Sequence, residues 1–220
     1  MSLKRISYED RDSWLAGRRR GIGGSEAAAA VGMSPWQTPL ELWRLKTGQA
    51  SPKDLSGNPN VERGVQMEPI LRHLYGEMHP EFEIVYNPYD ILFQESRPWL
   101  YATLDGELLL SDVGNERYFD DEAGIWLWRY PQNAKRGILE IKTGAPSGKD
   151  GWAKWSNGNM PQHYFIQCCH QLLATGYDFV RLLACLYSQN GDITLKQYEI
   201  EREDVKDDLA WLAEQEPAFW

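Results

Sequence analysis

The sequence predicts an α/β fold in which helices flank a central mixed sheet. Segments with helix-capping signals alternate along the chain with short segments rich in β-branched and aromatic residues, and no repeat or low-complexity tract interrupts them. The chain has 220 residues, 42% of them hydrophobic, which is enough to bury one substantial core. We therefore expect one domain that spans residues 1–220.

Four helices are predicted in the first half of the chain. Serine and threonine residues supply N-terminal capping signals, and glycines mark two of the helix ends. The predicted helices span 7–20, 25–32, 38–48 and 61–78, with caps at Ser7, Ser25 and Thr38, a loop over 49–60, and a kink or restart at Pro69.

Most predicted strands lie further along the chain. One sheet is expected to contain segments 83–85, 91–94, 100–104, 107–111, 125–129 and 137–142, followed by two more strands at 179–188 and 193–200. The acidic stretch 112–121 is interpreted as a hairpin that leaves this sheet. Further helices are predicted from Pro161 to Gly176 and over 202–215.

The charge balance restricts the classes of function. A net charge of −9 argues against a protein that coats nucleic acid non-specifically, because such binding needs Lys and Arg to neutralise phosphates. Nucleases remain possible, since carboxylates that hold a metal count as negative and local basic patches such as 18–20 can line a DNA path. With no membrane-length apolar run, no leader and three cysteines, we expect a cytoplasmic protein.

The most informative segment is the apolar run from Gly137 to Gly144. Glu140 and Lys142 stand two residues apart on it, so a strand here would send both side chains to the same face. Burying a carboxylate and an ammonium is costly unless they meet a cation, an anion or each other, and a divalent metal with a phosphodiester supplies all of these. Asp105, in the turn after 101–104, would be the second carboxylate. A surface Glu–Lys pair on an edge strand is the alternative.

The next predicted helix carries a row of polar side chains. Tyr164, Gln167 and Gln171 share one face, because they are three and four residues apart. Their phenol and amide groups could position a water, a metal ligand or a phosphate oxygen, or the row could simply face solvent. His163 and His170 have no third ligand, which favours surface or core positions over a zinc site.

A glycine-rich turn at 21–24 precedes Ser25 and a predicted helix start. Unpaired N–H groups at a helix N-terminus favour an anion, and glycines let a phosphate approach the backbone. With Arg18 or Arg19 nearby, this turn predicts a phosphate site. A plain helix cap with flexible glycines is the alternative.

Five ordered pieces carry a family resemblance. In chain order they are the turn 22–27 after the arginines, Gly64-x-x-x-Glu68, Thr103-x-Asp105-Gly106, Glu140-Ile141-Lys142 and Tyr164-x-x-Gln167. Together they resemble the lambda exonuclease family, the YqaJ-type viral recombination nucleases within the restriction-endonuclease-like superfamily. The similarity runs from about Trp14 to Gln171 and implies a restriction-endonuclease-like core.

The resemblance implies a magnesium-dependent exonuclease that digests one strand of duplex DNA from its 5′ end, leaving a 3′ overhang for a single-strand-annealing protein. Two Mg²⁺ ions are expected, with Mn²⁺ as a possible substitute. The resemblance implies that Asp105, Glu140 and the carbonyl of Ile141 bind metal, and that Glu68 is an acid near the second metal. It implies that Lys142 orients the attacking water and that Gln167 assists, with Tyr164 beside it. It also implies that Arg18 or Arg19 binds the 5′-phosphate together with Ser25 and Thr103.

The resemblance also implies a toroidal homotrimer that encloses DNA, encoded by a phage or prophage and acting in the bacterial host cell. One departure is a longer stretch between Asp105 and Glu140, where an extended hairpin at 111–136 would contain Trp126 and Trp128. An endonuclease or nuclease–helicase fragment on the same core is one alternative, although iron–sulfur relatives need a fourth cysteine. A non-catalytic DNA-end-binding protein on a decayed nuclease fold is the other, and intact Asp105, Glu140 and Lys142 argue against it.

Overall fold

The computed structural model describes residues 2–110, 116–120, 125–129 and 135–220. Within these ranges the helices are α1 (Arg11–Arg18), α2 (Gly24–Ala30), α3 (Pro39–Lys46), α4 (Pro59–Met78), α5 (Gly148–Ala153), α6 (Gln162–Thr175) and α7 (Lys206–Phe219). The strands are β1 (Leu3–Ser7), β2 (Ile22–Gly23), β3 (Phe82–Val85), β4 (Asp90–Gln94), β5 (Leu100–Ala102), β6 (Gly106–Leu110), β7 (Glu116–Asp120), β8 (Ile125–Arg129), β9 (Arg136–Gly144), β10 (Phe179–Tyr187) and β11 (Ile193–Glu201).

The described strands form three sheets, so the prediction of a single sheet is wrong. A five-stranded sheet has the order β11-β10-β9-β6-β3, and only its β9–β10 pair is parallel. A four-stranded sheet has the order β1-β4-β5-β2, and only its β2–β5 pair is parallel. Both sheets are therefore mixed, as predicted, but the strands of the expected sheet are divided between them.

The strand β8 has the predicted bounds but not the predicted partner. It pairs antiparallel with β7 in a separate two-stranded sheet, with Glu116 opposite Arg129. The remaining parts of the predicted hairpin excursion, 111–115, 121–124 and 130–134, lie outside the described residues.

Two of the three predicted helix caps are wrong. Ser7 ends β1, because residues 3–7 pair with β4, and Asp10 caps α1 by accepting a hydrogen bond from the Ser13 N–H at 2.8 Å. Gly23 is the cap of α2, so Ser25 lies within its first turn. Thr38 caps α3 as predicted, since its hydroxyl accepts from the Glu41 N–H.

The predicted restart at Pro69 does not occur, because α4 runs unbroken from Pro59 to Met78. A proline removes one helical hydrogen bond. Packing of Leu71 and Tyr75 against the five-stranded sheet supports the turns that follow it.

The last helix begins later than predicted. Arg202 does not start α7 but donates hydrogen bonds to the carbonyls of Leu172, in the last turn of α6, and of Tyr177, just after that helix. The helix α7 runs from Lys206 to Phe219. None of the helices in the described ranges is long and apolar enough to cross a membrane.

The five-stranded sheet has an apolar core on each face. The helices α6 and α7 cover the face that carries Ile138 and Val180, whereas α4 covers the face that carries Leu139 and Leu183. Because side chains alternate along a strand, Glu140 and Lys142 follow Ile138 toward α6. The helix α6 also packs against β4 and β5, so it joins the two mixed sheets at this point.

Candidate active site

Glu140 and Lys142 lie on the part of β9 that extends past the first residue of the neighbouring strand β6. Pairing with β6 ends at Leu139, which stands opposite Gly106, so the following edge of β9 faces the turn that carries Asp105. Glu140 is only 2% exposed, and its carboxylate accepts a hydrogen bond from the Lys142 ammonium. The prediction that both side chains share a face is therefore confirmed, and the surface-pair alternative is wrong.

Two glutamines of α6 also donate hydrogen bonds to the Glu140 carboxylate. Gln167 donates its Nε2 to Oε1 at 2.7 Å, and Gln171 donates its Nε2 to Oε2 at 2.6 Å. Both glutamines are buried, so the polar row of α6 faces the interior and not solvent. Tyr164, one turn earlier, places its ring 5.2 Å from the Lys142 ammonium.

Asp105 meets β9 from the turn before β6. Its Oδ2 accepts a hydrogen bond from the Ile141 N–H at 2.8 Å. Burial, with the negative charges of Glu140 and Glu68, raises the pKa of the Asp105 carboxyl well above its usual range. Burial alone would lower the pKa of Lys142, but the charges of Glu140 and Asp105 raise it above its ordinary value. Lys142 is consequently an ammonium.

Glu68 approaches the same place from α4. Arg72 binds the Glu68 carboxylate and donates its Nε to the backbone carbonyl of Asp105. The approach of α4 depends on Gly64, where a Cβ would lie 3.2 Å from the Thr143 hydroxyl oxygen. The structure therefore brings Glu68 beside Asp105, with Arg72 as the link between them.

The oxygen donors of this centre fit magnesium. Mg²⁺ is usually held by one or two carboxylates, with waters and substrate phosphates completing its shell, and Asp105 and Glu140 supply that number. The Ile141 carbonyl lies on the same side of β9 as its N–H, which faces Asp105. Across the described ranges, no three His, Cys, Asp or Glu side chains are placed to hold a metal by themselves, so backbone oxygens, water or a bound ligand would complete the shell.

A second polar cluster contains Arg18 and Ser25. Arg18, the last residue of α1, donates its Nη2 to the Ser25 hydroxyl and its Nε to the Tyr101 hydroxyl, both at 3.3 Å. Arg19 is the C-cap of α1, so the structure places Arg18, not Arg19, beside Ser25. Thr103 follows β5 and makes no hydrogen bond with Arg18 or Ser25 within the described residues.

Lys46 supports this cluster from α3. Its ammonium lies 2.7 Å from the Glu26 carboxylate and 3.0 Å from the carbonyl of Arg18, and the Glu26 carboxylate in turn accepts from the Gly23 N–H. Burial lowers the pKa of Lys46, as does the charge of Arg18, whereas Glu26 works in the opposite direction. Lys46 thus connects the end of α1 with the start of α2.

The two clusters are adjacent. A Cβ at Gly24 would lie 3.2 Å from Cγ of Gln171 and 3.3 Å from Cγ of Gln167, so the first turn of α2 packs directly on the glutamines that hold Glu140. Ser25 follows Gly24 in that turn. Gly24 therefore contacts the carboxylate centre, and the next residue, Ser25, belongs to the arginine–serine cluster.

Sequence reasoning assigned no role to Lys46 or Arg72, and it named Gln171 only as a member of the polar row. A signal existed for Lys46, because it stands four residues after Leu42, which is 1% exposed, and so shares the inward face of α3. Arg72 stands four residues after Glu68, which is the spacing of a helical ion pair.

The two histidines of α6 lie in core and partly buried positions, which is where the sequence favoured placing them. His170 is completely buried and bonds the Glu216 carboxylate and the carbonyl of Tyr101. His163 is partly buried against the ring of Tyr164.

Solved structures of two exonucleases share this fold. The alkaline exonuclease LHK-Exo from Laribacter hongkongensis superposes with a TM-score of 0.56 and 15% identity, over 95% of this chain and 94% of that one. A phage-related exonuclease from Haemophilus somnus 129PT gives 0.52 and 10% identity, over 90% and 92%. The likeness at these identities establishes the fold, which is restriction-endonuclease-like as predicted.

The sequence is also similar to the uncharacterized protein YqaJ of Bacillus subtilis strain 168, with 28% identity over 223 residues. That alignment covers 99% of this chain and 58% of YqaJ, so the chain spans little more than half the length of this curated relative. Residues 13–178 match the YqaJ-like viral recombinase domain, a range that contains every predicted site residue. The predicted resemblance is confirmed, and the chain belongs to the family of YqaJ-like viral recombinase domains.

Proposed function

We propose that the protein is a metal-dependent exonuclease that digests one strand of linear duplex DNA from its 5′ end. The observation that carries this proposal is the convergence of Asp105, Glu140 and Lys142 at the part of β9 that extends beyond β6, where hydrogen bonds fix both oxygens of Glu140. Membership of a viral recombinase family and a fold shared with two exonucleases support it.

The residues proposed to hold Mg²⁺ are Asp105, Glu140 and Ile141, the last through its carbonyl. Two ions are expected, with Glu68 near the second and Mn²⁺ as a substitute. Bound in this way, the ions would generate a hydroxide near neutral pH and neutralise charge on the scissile phosphate. Burial first, and then the charges of Glu140 and Glu68, raise the pKa of Asp105, and this supports the assignment because a cation between these carboxylates would offset the repulsion.

Lys142 is proposed to orient the attacking water. Its raised pKa means that it donates hydrogen bonds as a point charge and does not act as a strong base. The same charge offsets the negative charge that develops on the phosphate. Gln167 and Gln171 assist by preventing rotation of Glu140, and the ring of Tyr164 limits the positions open to the Lys142 ammonium.

Arg18 and Ser25 are proposed to bind the terminal 5′-phosphate, with Thr103 as a further contact from the end of β5. Each charge-assisted hydrogen bond to the phosphate would contribute about 1.5–3 kcal/mol. Because the first turn of α2 packs on Gln167 and Gln171, this pocket lies beside the cleavage centre. That arrangement favours digestion that starts at a 5′ end and leaves a 3′ overhang.

We further propose that the protein acts as a homotrimer around DNA and supplies 3′ overhangs to a single-strand-annealing recombinase. The net charge of −9 supports an enclosing assembly, since topology can replace much of the electrostatic grip that phosphate contacts give. Light scattering at micromolar concentration tests the assembly. The mass of one 25.4 kDa chain would contradict it.

The activity is tested on a linear duplex that carries a label at one 5′ end and, separately, at one 3′ end. With Mg²⁺, the 5′ label should be released as small products while the 3′-labelled strand shortens progressively, and EDTA should stop both. A closed circular duplex should remain intact. Cleavage of the circle would indicate an endonuclease, and binding of ends without digestion would indicate a decayed nuclease.

A further inference from the structure

A row of aromatic rings leads outward from Lys142. The Tyr164 ring lies 5.2 Å from the Lys142 ammonium, and the His163 ring lies 4.0 Å from the Tyr164 ring. Trp36 then meets His163 edge-on, with 6.4 Å between the ring centroids. The row therefore connects the proposed cleavage centre with the molecular surface.

Trp36 is exposed although it is large and apolar. Its side chain is 75% exposed, more than any other large apolar side chain that the structure describes. The loop around it is nevertheless held, because the Trp36 N–H donates to the Ser34 hydroxyl at 3.2 Å and the Met33 sulfur accepts from Gln162 on α6 at 3.6 Å. A flat ring on a supported loop offers a ligand a large contact area at little entropic cost.

Positive charge flanks the same row. The Lys142 ammonium lies against the Tyr164 ring at the inner end of the row, and burial, followed by the charges of Lys142 and Lys154, lowers the pKa of His163. Such local positive charge is complementary to a phosphate backbone even though the whole chain is acidic. Aromatic rings beside a positively charged path are the combination that proteins use to bind single-stranded nucleic acid.

We propose that Trp36 is a stacking site for a nucleobase of the DNA strand that passes Lys142. This site rests on the proposed nuclease function and adds a base contact that the phosphate and metal sites do not provide. Since nucleotides of a stacked strand rise about 3.4 Å each, the ring spacings place it within a few nucleotides of the scissile phosphate. Stacking of this kind tolerates any sequence, because every base has a π-face.

The test uses Trp36→Ala and Trp36→Leu, which remove the ring, and Trp36→Phe, which keeps one. Trp211→Ala is the matched control, because Trp211 is a partly exposed tryptophan of α7. Binding of a short 5′-phosphorylated oligothymidylate should weaken about fivefold or more in the first two variants. Trp36→Phe and Trp211→Ala should stay close to the wild type. Quenching of tryptophan fluorescence by the oligonucleotide should decrease in Trp36→Phe.

A second arm replaces single nucleotides near the 5′ end of the oligonucleotide with abasic residues. At the position that stacks, the abasic residue should weaken wild-type binding as much as Trp36→Ala does, and the two changes together should cost no more than either alone. Independent, additive losses, or unchanged binding by Trp36→Leu, would overturn the stacking site.

The design separates this inference from the proposed function. A wild-type protein that neither binds nor digests DNA would refute both, whereas normal digestion with no effect of the Trp36 variants would refute the stacking site alone. The exposed residues Leu40 and Trp43 lie on α3, which begins three residues after Trp36, so a subunit contact is the competing explanation. A lower mass of Trp36→Ala in light scattering, with unchanged oligonucleotide binding, would establish that contact instead.

Discussion

Substitution of Lys46 should lower both the stability of the protein and its preference for 5′-phosphate ends. A second substitution, at Glu26, should restore the stability but not the preference. Lys46→Met removes the ammonium that bonds Glu26 and the carbonyl of Arg18 while keeping the apolar stem. The Lys46 and Glu26 side chains are 8% and 23% exposed, so Glu26 would be left as a largely buried charge. Breaking a fully buried pair from one side costs about 3–5 kcal/mol. The partial exposure of Glu26 places the expected loss near roughly 2–3 kcal/mol.

Thermal unfolding measures this loss. For a chain of this size, each kcal/mol lowers Tm by about 2–4 °C, so Lys46→Met should melt roughly 4–12 °C below the wild type. Adding Glu26→Gln removes the unpaired charge and should restore much of the difference. The matched control Lys4→Met breaks an exposed ion pair with Glu95 and should change stability by less than about 1 kcal/mol.

The functional readout is the ratio of digestion rates on duplexes with 5′-phosphate and 5′-hydroxyl ends. Lys46→Met should reduce this ratio about tenfold, corresponding to roughly 1.4 kcal/mol, because Arg18 loses the contact that holds its backbone. The double variant with Glu26→Gln should recover stability without recovering the ratio. An unchanged ratio in a folded Lys46→Met protein would refute a positioning role. A Tm equal to that of the wild type would refute the buried-pair argument.

Three further predictions concern other contacts in and around the site. Gln171→Leu leaves one buried oxygen of Glu140 without a donor, so kcat in steady-state digestion should fall at least about tenfold while KM changes little; an equal kcat would contradict the role of Gln171. Gly24→Ala pushes a methyl group against Gln171, so both Tm and kcat should decrease. If Tm and kcat are both unchanged, α2 and α6 can move apart without a cost in stability or activity. Burial works against a charged His170, but Glu216 raises its pKa, so the stability of this pair is complete below about pH 6.5 and is lost as pH rises through the folded-state pKa. Wild-type Tm should therefore decline above that pH more steeply than Tm of Glu216→Gln, and parallel curves would refute the charged pair.

The parts of the site that sequence could predict depend on local periodicity. Glu140 and Lys142 share a face because a strand repeats every two residues, and Gln167 shares a face with Tyr164 because a helix repeats every 3.6. The capping box at Thr38 is likewise local, and it is present in the structure. Such patterns can be recognised without knowing which helices and strands contact each other.

The errors arise where distant segments decide the outcome. Ser7 has the sequence signature of a helix cap, but pairing with Asp90 of β4 makes it the end of a strand. No local pattern divides the strands between two mixed sheets, because the pairing partners lie far apart in the chain. The choice of Arg18 over Arg19 also depends on tertiary packing, since Tyr101 approaches only one face of α1.

Asp105 and Glu140 are proposed to form a metal-dependent cleavage centre. The most direct test of this proposal compares Glu140→Gln with Glu107→Gln on a 5′-phosphorylated linear duplex, with and without Mg²⁺. Glu107 is a matched control because it is also a buried carboxylate of the five-stranded sheet, bound instead to Arg5 and Tyr177. Wild type and Glu107→Gln should digest the duplex only with Mg²⁺, whereas Glu140→Gln should bind DNA ends without digesting them. Magnesium-dependent digestion by folded Glu140→Gln would show that Glu140 is not an essential metal ligand.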